Sequence, residues 1–125
     1  EKTSFAVCHE IEHFLEKSQI LSEDRGERDF EKYLKKIGES KAFALIDNCV
    51  ADIRENRAVV SKTHEGFSNI EQKCYKEDLF KEVDFTQEPK HIQFSYALLR
   101  ETRVPDEQCI VSSEVRRKLD GFKAI

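Results

Sequence analysis

An all-α fold follows from three observations. Only four Gly and two Pro interrupt the 125 residues. Apolar side chains recur at intervals of three, four and seven along nearly the whole chain, the period of a helix with one buried face. Ser4 and Ser40 stand where helices would begin, and Gly38 and Gly121 where they would end. With four cysteines added, the expectation is a single domain over residues 1–125, a disulfide-tied helical bundle built around one long central helix.

The first helix is expected after a Ser4 cap, with Val7, Cys8, Ile11, Phe14 and Leu15 as its core face. Leu21-Ser22-Glu23-Asp24-Arg25-Gly26 reads as a loop with cap chemistry. Phe30, Tyr33, Leu34 and Ile37 line the next helix, which Gly38 would stop in the left-handed conformation. Ser40 caps the third start. From there Ile46, Ile53, Val60, Phe67 and Cys74 fall at strict seven-residue intervals, which predicts one helix from Lys41 to Lys76, about 54 Å long at 1.5 Å per residue. Gly66 is its natural place to bend or break. Asn56, Arg57, Thr63 and His64 interrupt the second apolar position of the heptad, which favours an intramolecular core over a dimeric coiled coil.

Leu79, Phe80, Val83 and Phe85 form a short further segment, and Thr86-Gln87-Glu88-Pro89 a turn. Between His91 and Leu99, alternation of Ile92, Phe94, Tyr96 and Leu98 fits a strand, while Ile92, Tyr96 and Leu99 fit a helix. Helix is favoured, because a lone strand has nothing to pair with. Val104-Pro105-Asp106-Glu107 resembles a helix start with Pro in the first turn, and Val115, Leu119 and Phe122 complete the core before Gly121 ends the last turn.

Charge narrows the partners. Asp and Glu outnumber Lys and Arg by 25 to 21, a net charge of −4, which argues against a nucleic-acid binder working by phosphate neutralisation. No apolar run approaches the roughly 20 residues that span a bilayer. Charged residues at 37% against hydrophobic ones at 38% suit a compact core under a solvated surface. A chain without Met that opens Glu1-Lys2-Thr3-Ser4 reads as a processed product, and secretion is the expectation. No glycosylation sequon bears on this, since Asn48, Asn56 and Asn69 are followed at the second position by Val50, Ala58 and Glu71.

Cys8, Cys49, Cys74 and Cys109 lie 41, 25 and 35 residues apart and contain no C-x-x-C, so zinc-ribbon and thioredoxin-type chemistry lack their signature. In a secreted chain they imply two disulfides. Were residues 41–76 one helix, Cys49 and Cys74 would stand about 37 Å apart and unable to bond. Cys8–Cys49 with Cys74–Cys109, or Cys8–Cys74 with Cys49–Cys109, would then remain, each bridge contributing roughly 2 to 4 kcal/mol. A reversal at Gly66 would readmit Cys49–Cys74.

His9-Glu10-Ile11-Glu12-His13 matches H-E-x-x-H, in which two His one turn apart hold zinc and the Glu acts as general base. Against a core face of Val7, Ile11, Phe14 and Leu15, however, His9 and His13 fall on the solvent side with Glu16. His64 and His91 are candidate third ligands without diagnostic spacing. No metal site and no cofactor are therefore expected, and His9, Glu10 and His13 are read as an exposed helix face. No G-x-S-x-G, catalytic cysteine neighbourhood or Gly-rich phosphate loop is present, so no enzyme is expected. Arg116-Arg117-Lys118 reads as a solvated helix face. Nine Phe and three Tyr read as core, although so many aromatics would also suit a pocket for a small apolar molecule.

By elimination the chain is expected to be a secreted, non-enzymatic, monomeric protein that binds and inhibits a protein target. Two alternatives stand beside it. One is a carrier of a small hydrophobic ligand in the manner of insect odorant-binding proteins, whose cysteine spacing differs from that found here. The other is a cytosolic helical adaptor with free thiols. In its size, its four cysteines Cys8, Cys49, Cys74 and Cys109, and its expected long central helix, the chain resembles the small salivary anti-complement proteins of anopheline mosquitoes, the albicin type. That resemblance implies a saliva protein acting on components of the host C3 convertase of the alternative pathway, and carries over no functional residue.

Overall fold

The computed structural model describes residues 1–22, 26–63 and 66–124, and among them the side chains other than those of residues 18–28. The fold is all-helical. Helices α1 (Lys2–Ser22), α2 (Gly26–Glu39), α3 (Lys41–Lys62) and α4 (Gly66–Lys73) follow in order, and α4 runs on into a π-helical segment over Cys74–Leu79. Helices α5 (Lys90–Arg103) and α6 (Ser113–Lys123) complete the chain. The expected loop at 21–26 lies partly outside the described residues.

Helix α3 begins as its sequence directs, the Ser40 hydroxyl accepting a hydrogen bond from Phe43 N–H at 3.2 Å. It does not continue to Lys76. Thr63 leaves the helix in an extended conformation, φ −115° and ψ −177°, and its hydroxyl donates back to the Val59 carbonyl at 2.6 Å. The expected helix over 41–76 is thus two helices and a π segment. A Thr that satisfies the preceding turn through its own side chain competes with the backbone there, just ahead of Gly66.

Residues 91–99 are helical as expected, inside α5. The start expected at Val104 is instead an end, because Pro105 disfavours helical torsions at the residue before it, and Val104 caps α5 with φ −130° and ψ 74°. The next helix begins at Ser112, whose hydroxyl accepts from Val115 N–H at 3.4 Å. Between these helices the chain turns over 104–107 and then runs without helix to Ser112. Phe85 N–H donates to Ile110 C=O at 2.9 Å, and Ile110 N–H to Val83 C=O at 2.8 Å, joining the two connecting segments in one parallel bridge. Neither Gly38 nor Gly121 adopts positive φ; α2 and α6 run through them.

Two apolar clusters hold the helices together. The larger joins Cys49 and Ile53 of α3, Tyr75 and Phe85, Leu98 and Leu99 of α5, Cys109, and Leu119 of α6. The smaller joins Phe5 of α1, Val59 of α3, and Phe67 and Ile70 of α4, with Cys8, Val60 and Cys74 packed against it. All four cysteines are free thiols, in place of the two disulfides expected. Cys8 and Cys74 share the smaller cluster, and Cys49 and Cys109 the larger.

Buried polar groups tie the periphery down. Glu71 of α4 receives the Arg103 guanidinium on both oxygens, Nη2 to Oε2 at 2.7 Å. Glu101 accepts from Cys109 N–H at 2.8 Å, from Arg116 at 2.7 and 3.0 Å, and from Lys123. Arg116 thus points inward, while Arg117 and Lys118 are the solvated residues of that basic run.

Candidate functional site

Helix α1 decides what the surface offers, and of the core face expected for it only Cys8 packs inward. Val7, Ile11, Phe14 and Leu15 were expected inside; they are 53%, 50%, 68% and 47% exposed. The face turned to α3 and α4 carries Phe5, Cys8, His9, Glu12, His13 and Glu16, also at helical spacing. The reason lies on α3, which presents Asp52, Glu55 and Asn56 to this helix. Buried polar groups need polar partners, and α1 supplies them. Glu12 meets Lys62 Nζ at 2.8 Å, and Glu16 meets Arg54 Nη2 at 2.7 Å.

The centre of that contact is the H-E-x-x-H pair, half-buried rather than on the solvent face. His9 Nε2 and His13 Nε2 lie 2.9 Å apart, and 3.4 and 3.3 Å from the same Asp52 Oδ1. His9 Nδ1 is 2.7 Å from Asn56 Oδ1. The buried Asn56 is oriented in turn by its amide, which donates to the Tyr75 hydroxyl at 2.6 Å. Tyr75 sits in the π-helical segment, whose wide turn closes with Phe80 N–H on Tyr75 C=O at 2.7 Å; single π turns are frequent beside functional groups. On the far side, His13 Nδ1 stands 3.9 Å from Glu55 Oε1.

The electrostatics follow from these contacts. The bond to Asp52 raises the His9 imidazole above its usual range, against desolvation, with Asn56 adding to the effect. Burial pushes the Glu55 carboxyl up to about 7, and the neighbouring Glu16 carboxylate adds to the rise. Burial likewise pushes the Cys49 and Cys109 thiols up to about 11 and raises Cys74, which keeps them protonated and poorly nucleophilic at neutral pH.

Among the described residues two groups of side chains are placed to hold a metal: His9, His13 and Asp52, and His13, Glu16 and Glu55, each set having ligand atoms within 4.8 Å of one another. Glu10, the base of a zincin motif, is exposed and lines a groove on the outer face with Thr3, Ala6, Val7, Ile11 and Phe14. Hence the chain does not assemble the zincin arrangement. Of the candidate third ligands, His91 lies at the start of α5 beside Phe94 and Lys90, and His64 lies outside the described residues. Asp52 and Asn56 were missed. Their signal was legible, since the two polar residues stand four apart on α3 and mirror the spacing of His9 and His13.

A cavity of about 420 Å³ opens beside His9, lined by the apolar Phe5, Ala6, Tyr75, Leu79 and Leu99 and by the polar Lys2, Asp52, Asn56 and Asp78. No helix of the described residues is long and apolar enough to cross a membrane. Comparison of the chain with protein-family models, with curated proteins and with solved structures finds no match.

Proposed function

We propose that this chain is a secreted, non-enzymatic binding protein that engages a protein target through the outer face of α1. The observation that carries this is the stripe of Val7, Ile11, Phe14 and Leu15, four large apolar side chains about half or more exposed on one helix. Scattered surface apolar residues need no explanation, but a contiguous helical stripe is what helix-recognition interfaces present. The anti-complement proteins that the sequence resembles nominate the alternative-pathway convertase as the first target to test. The protein is expected to inhibit alternative-pathway haemolysis. Ile11→Asp with Phe14→Asp should lower its potency at least tenfold, as loss of central anchors does, with an unchanged melting temperature. Equal potency of parent and variant, or no inhibition by the parent at micromolar concentration, would refute the proposal.

In the secreted protein the thiols that are free here would close on oxidation as Cys8–Cys74 and Cys49–Cys109. The support is that each pair shares one apolar cluster, whereas Cys8–Cys49 with Cys74–Cys109 would have to connect across two. Peptide mapping of the natural protein without reductant tests this, and four titratable thiols after denaturation would favour the adaptor. The cavity beside His9 supports the carrier as a second reading; stoichiometric retention of a fluorescent fatty acid, displaced by Ala6→Phe, would establish it.

A further inference from the structure

Beyond a binding role, we propose that His9, His13 and Asp52 form a site for one divalent transition-metal ion, best matched to Zn²⁺, that clamps α1 to α3. Tetrahedral zinc holds nitrogen and oxygen ligands at about 2.0–2.1 Å, so its ligand atoms stand roughly 3.3–3.4 Å apart. The three atoms here are separated by 2.9, 3.3 and 3.4 Å. An ion about 2.05 Å from each would sit roughly 0.9 Å off their plane. That leaves a fourth position for water.

The surroundings prepare the ligands. Because the Asn56 amide donates to Tyr75, its carbonyl oxygen faces His9 and takes the Nδ1 proton. This leaves Nε2, which faces Asp52 and His13, as the nitrogen that would give up its proton to a metal ion, with Asn56 as the second-shell partner that orients the imidazole. Glu55 Oε1 stands 3.9 Å from His13 Nδ1, on the side of the ring away from the proposed ion. Charge is the second indication. Glu12 is answered by Lys62 and Glu16 by Arg54, whereas among the described residues Asp52 meets no Lys or Arg and faces only the two imidazoles and the amide of Asn48 at 3.5 Å. A metal ion between the three atoms would bring Asp52 the fixed positive charge that no Lys or Arg supplies. The exposed Glu10 lies on the outer face, so the ion would be structural and would have no general base from the motif.

The test uses the full chain, stripped of metal with a chelator and titrated with Zn²⁺ and separately with Co²⁺. One equivalent of zinc is expected to bind and to raise the melting temperature. Cobalt should give the intense visible bands of a tetrahedral site without the near-ultraviolet charge transfer of a thiolate ligand. Asp52→Asn, which keeps shape, and His13→Ala should each weaken zinc at least tenfold, and Asn56→Leu roughly 10- to 100-fold, while His91→Ala binds as the parent does. Far-ultraviolet circular dichroism confirms that each variant is folded, and Asp52→Asn decides if His13→Ala is not. Zinc bound equally by Asp52→Asn and parent, thiolate absorption with cobalt, or failure of the parent to bind would overturn the proposal.

Discussion

Replacing Glu101 by Gln tests how the C-terminal helix is held. The Glu101 carboxylate, only 6% exposed, gathers Cys109 N–H, the Arg116 guanidinium and the Lys123 ammonium. Burial alone would raise its pKa. The two cations and the amide outweigh it and lower the carboxyl from 4.5 to about 2. A shift of that size corresponds to at most roughly 3 kcal/mol of stability at neutral pH. Because the folded-state value is depressed, this contribution is complete above about pH 4.5 and is lost as the pH falls through about 2. Gln keeps the shape and an acceptor for the Cys109 amide, but it leaves two cations without their anion. Arg116 and Lys123 are 21% and 31% exposed and can partly rehydrate, so a loss of about 2 to 3 kcal/mol at pH 7 is expected rather than the full 3 to 5 of a wholly buried pair. For a chain of this length that lowers the melting temperature by roughly 6 to 15 °C. Urea unfolding of parent and Glu101→Gln at pH 7 and near pH 2.5 measures it. Other carboxylates, among them Asp84, Asp106 and Glu114, titrate alike in both proteins and cancel in the difference. The gap between the two proteins should narrow markedly at the acid end. A constant gap, or one below about 0.5 kcal/mol at pH 7, would refute the account.

Three further outcomes follow from burial and backbone. Leu119, with no exposed surface at the junction of α6 and the larger cluster, should cost about 2 to 5 kcal/mol when replaced by Ala, read by chemical denaturation. Glu71→Gln strands the Arg103 guanidinium at the end of α5 and should destabilise by about 3 kcal/mol, with faster hydrogen exchange through α4 in the same sample. Gly38→Ala should instead stabilise by roughly 0.5 to 1 kcal/mol, since Gly38 is helical and an added Cβ meets nothing within 4 Å; a lowered melting temperature would contradict this.

Much of the fold was legible because local chemistry decides it. Ser40 caps α3 and the turn over 86–89 closes as its residues direct, with Glu88 N–H on Phe85 C=O at 3.0 Å. Residues 91–99 resolve to helix because α5 packs against α3. What was not legible turns on partners distant in sequence. Val104-Pro105-Asp106-Glu107 carries the composition of a helix start, but the following chain is spoken for, Cys109 by Glu101 and Ile110 by Val83 and Phe85. The seven-residue repeat running through Val60 and Phe67 conceals a break, because Thr63 bonds to Val59 with its side chain and both new helices still direct that repeat inward.

The orientation of α1 is the deepest of these failures, and it joins the two functional proposals. Burying Val7, Ile11, Phe14 and Leu15 would gain roughly 1.5 to 3 kcal/mol for each side chain fully covered. It would also set them against Asp52, Glu55 and Asn56 of α3, and desolvating those groups without partners costs about 1 to 3 kcal/mol each, more for the charged ones. The packing found here avoids that penalty and adds the Glu12–Lys62 and Glu16–Arg54 pairs and the His9–Asn56–Tyr75 chain. The apolar transfer energy is left unused on the surface. A target laid over α1 would recover it, and a metal ion at His9, His13 and Asp52 would fix the helix in the rotation that keeps the stripe outward. Zinc should therefore tighten target binding without touching the interface, and Asp52→Asn should abolish that enhancement while leaving the metal-free affinity as it was.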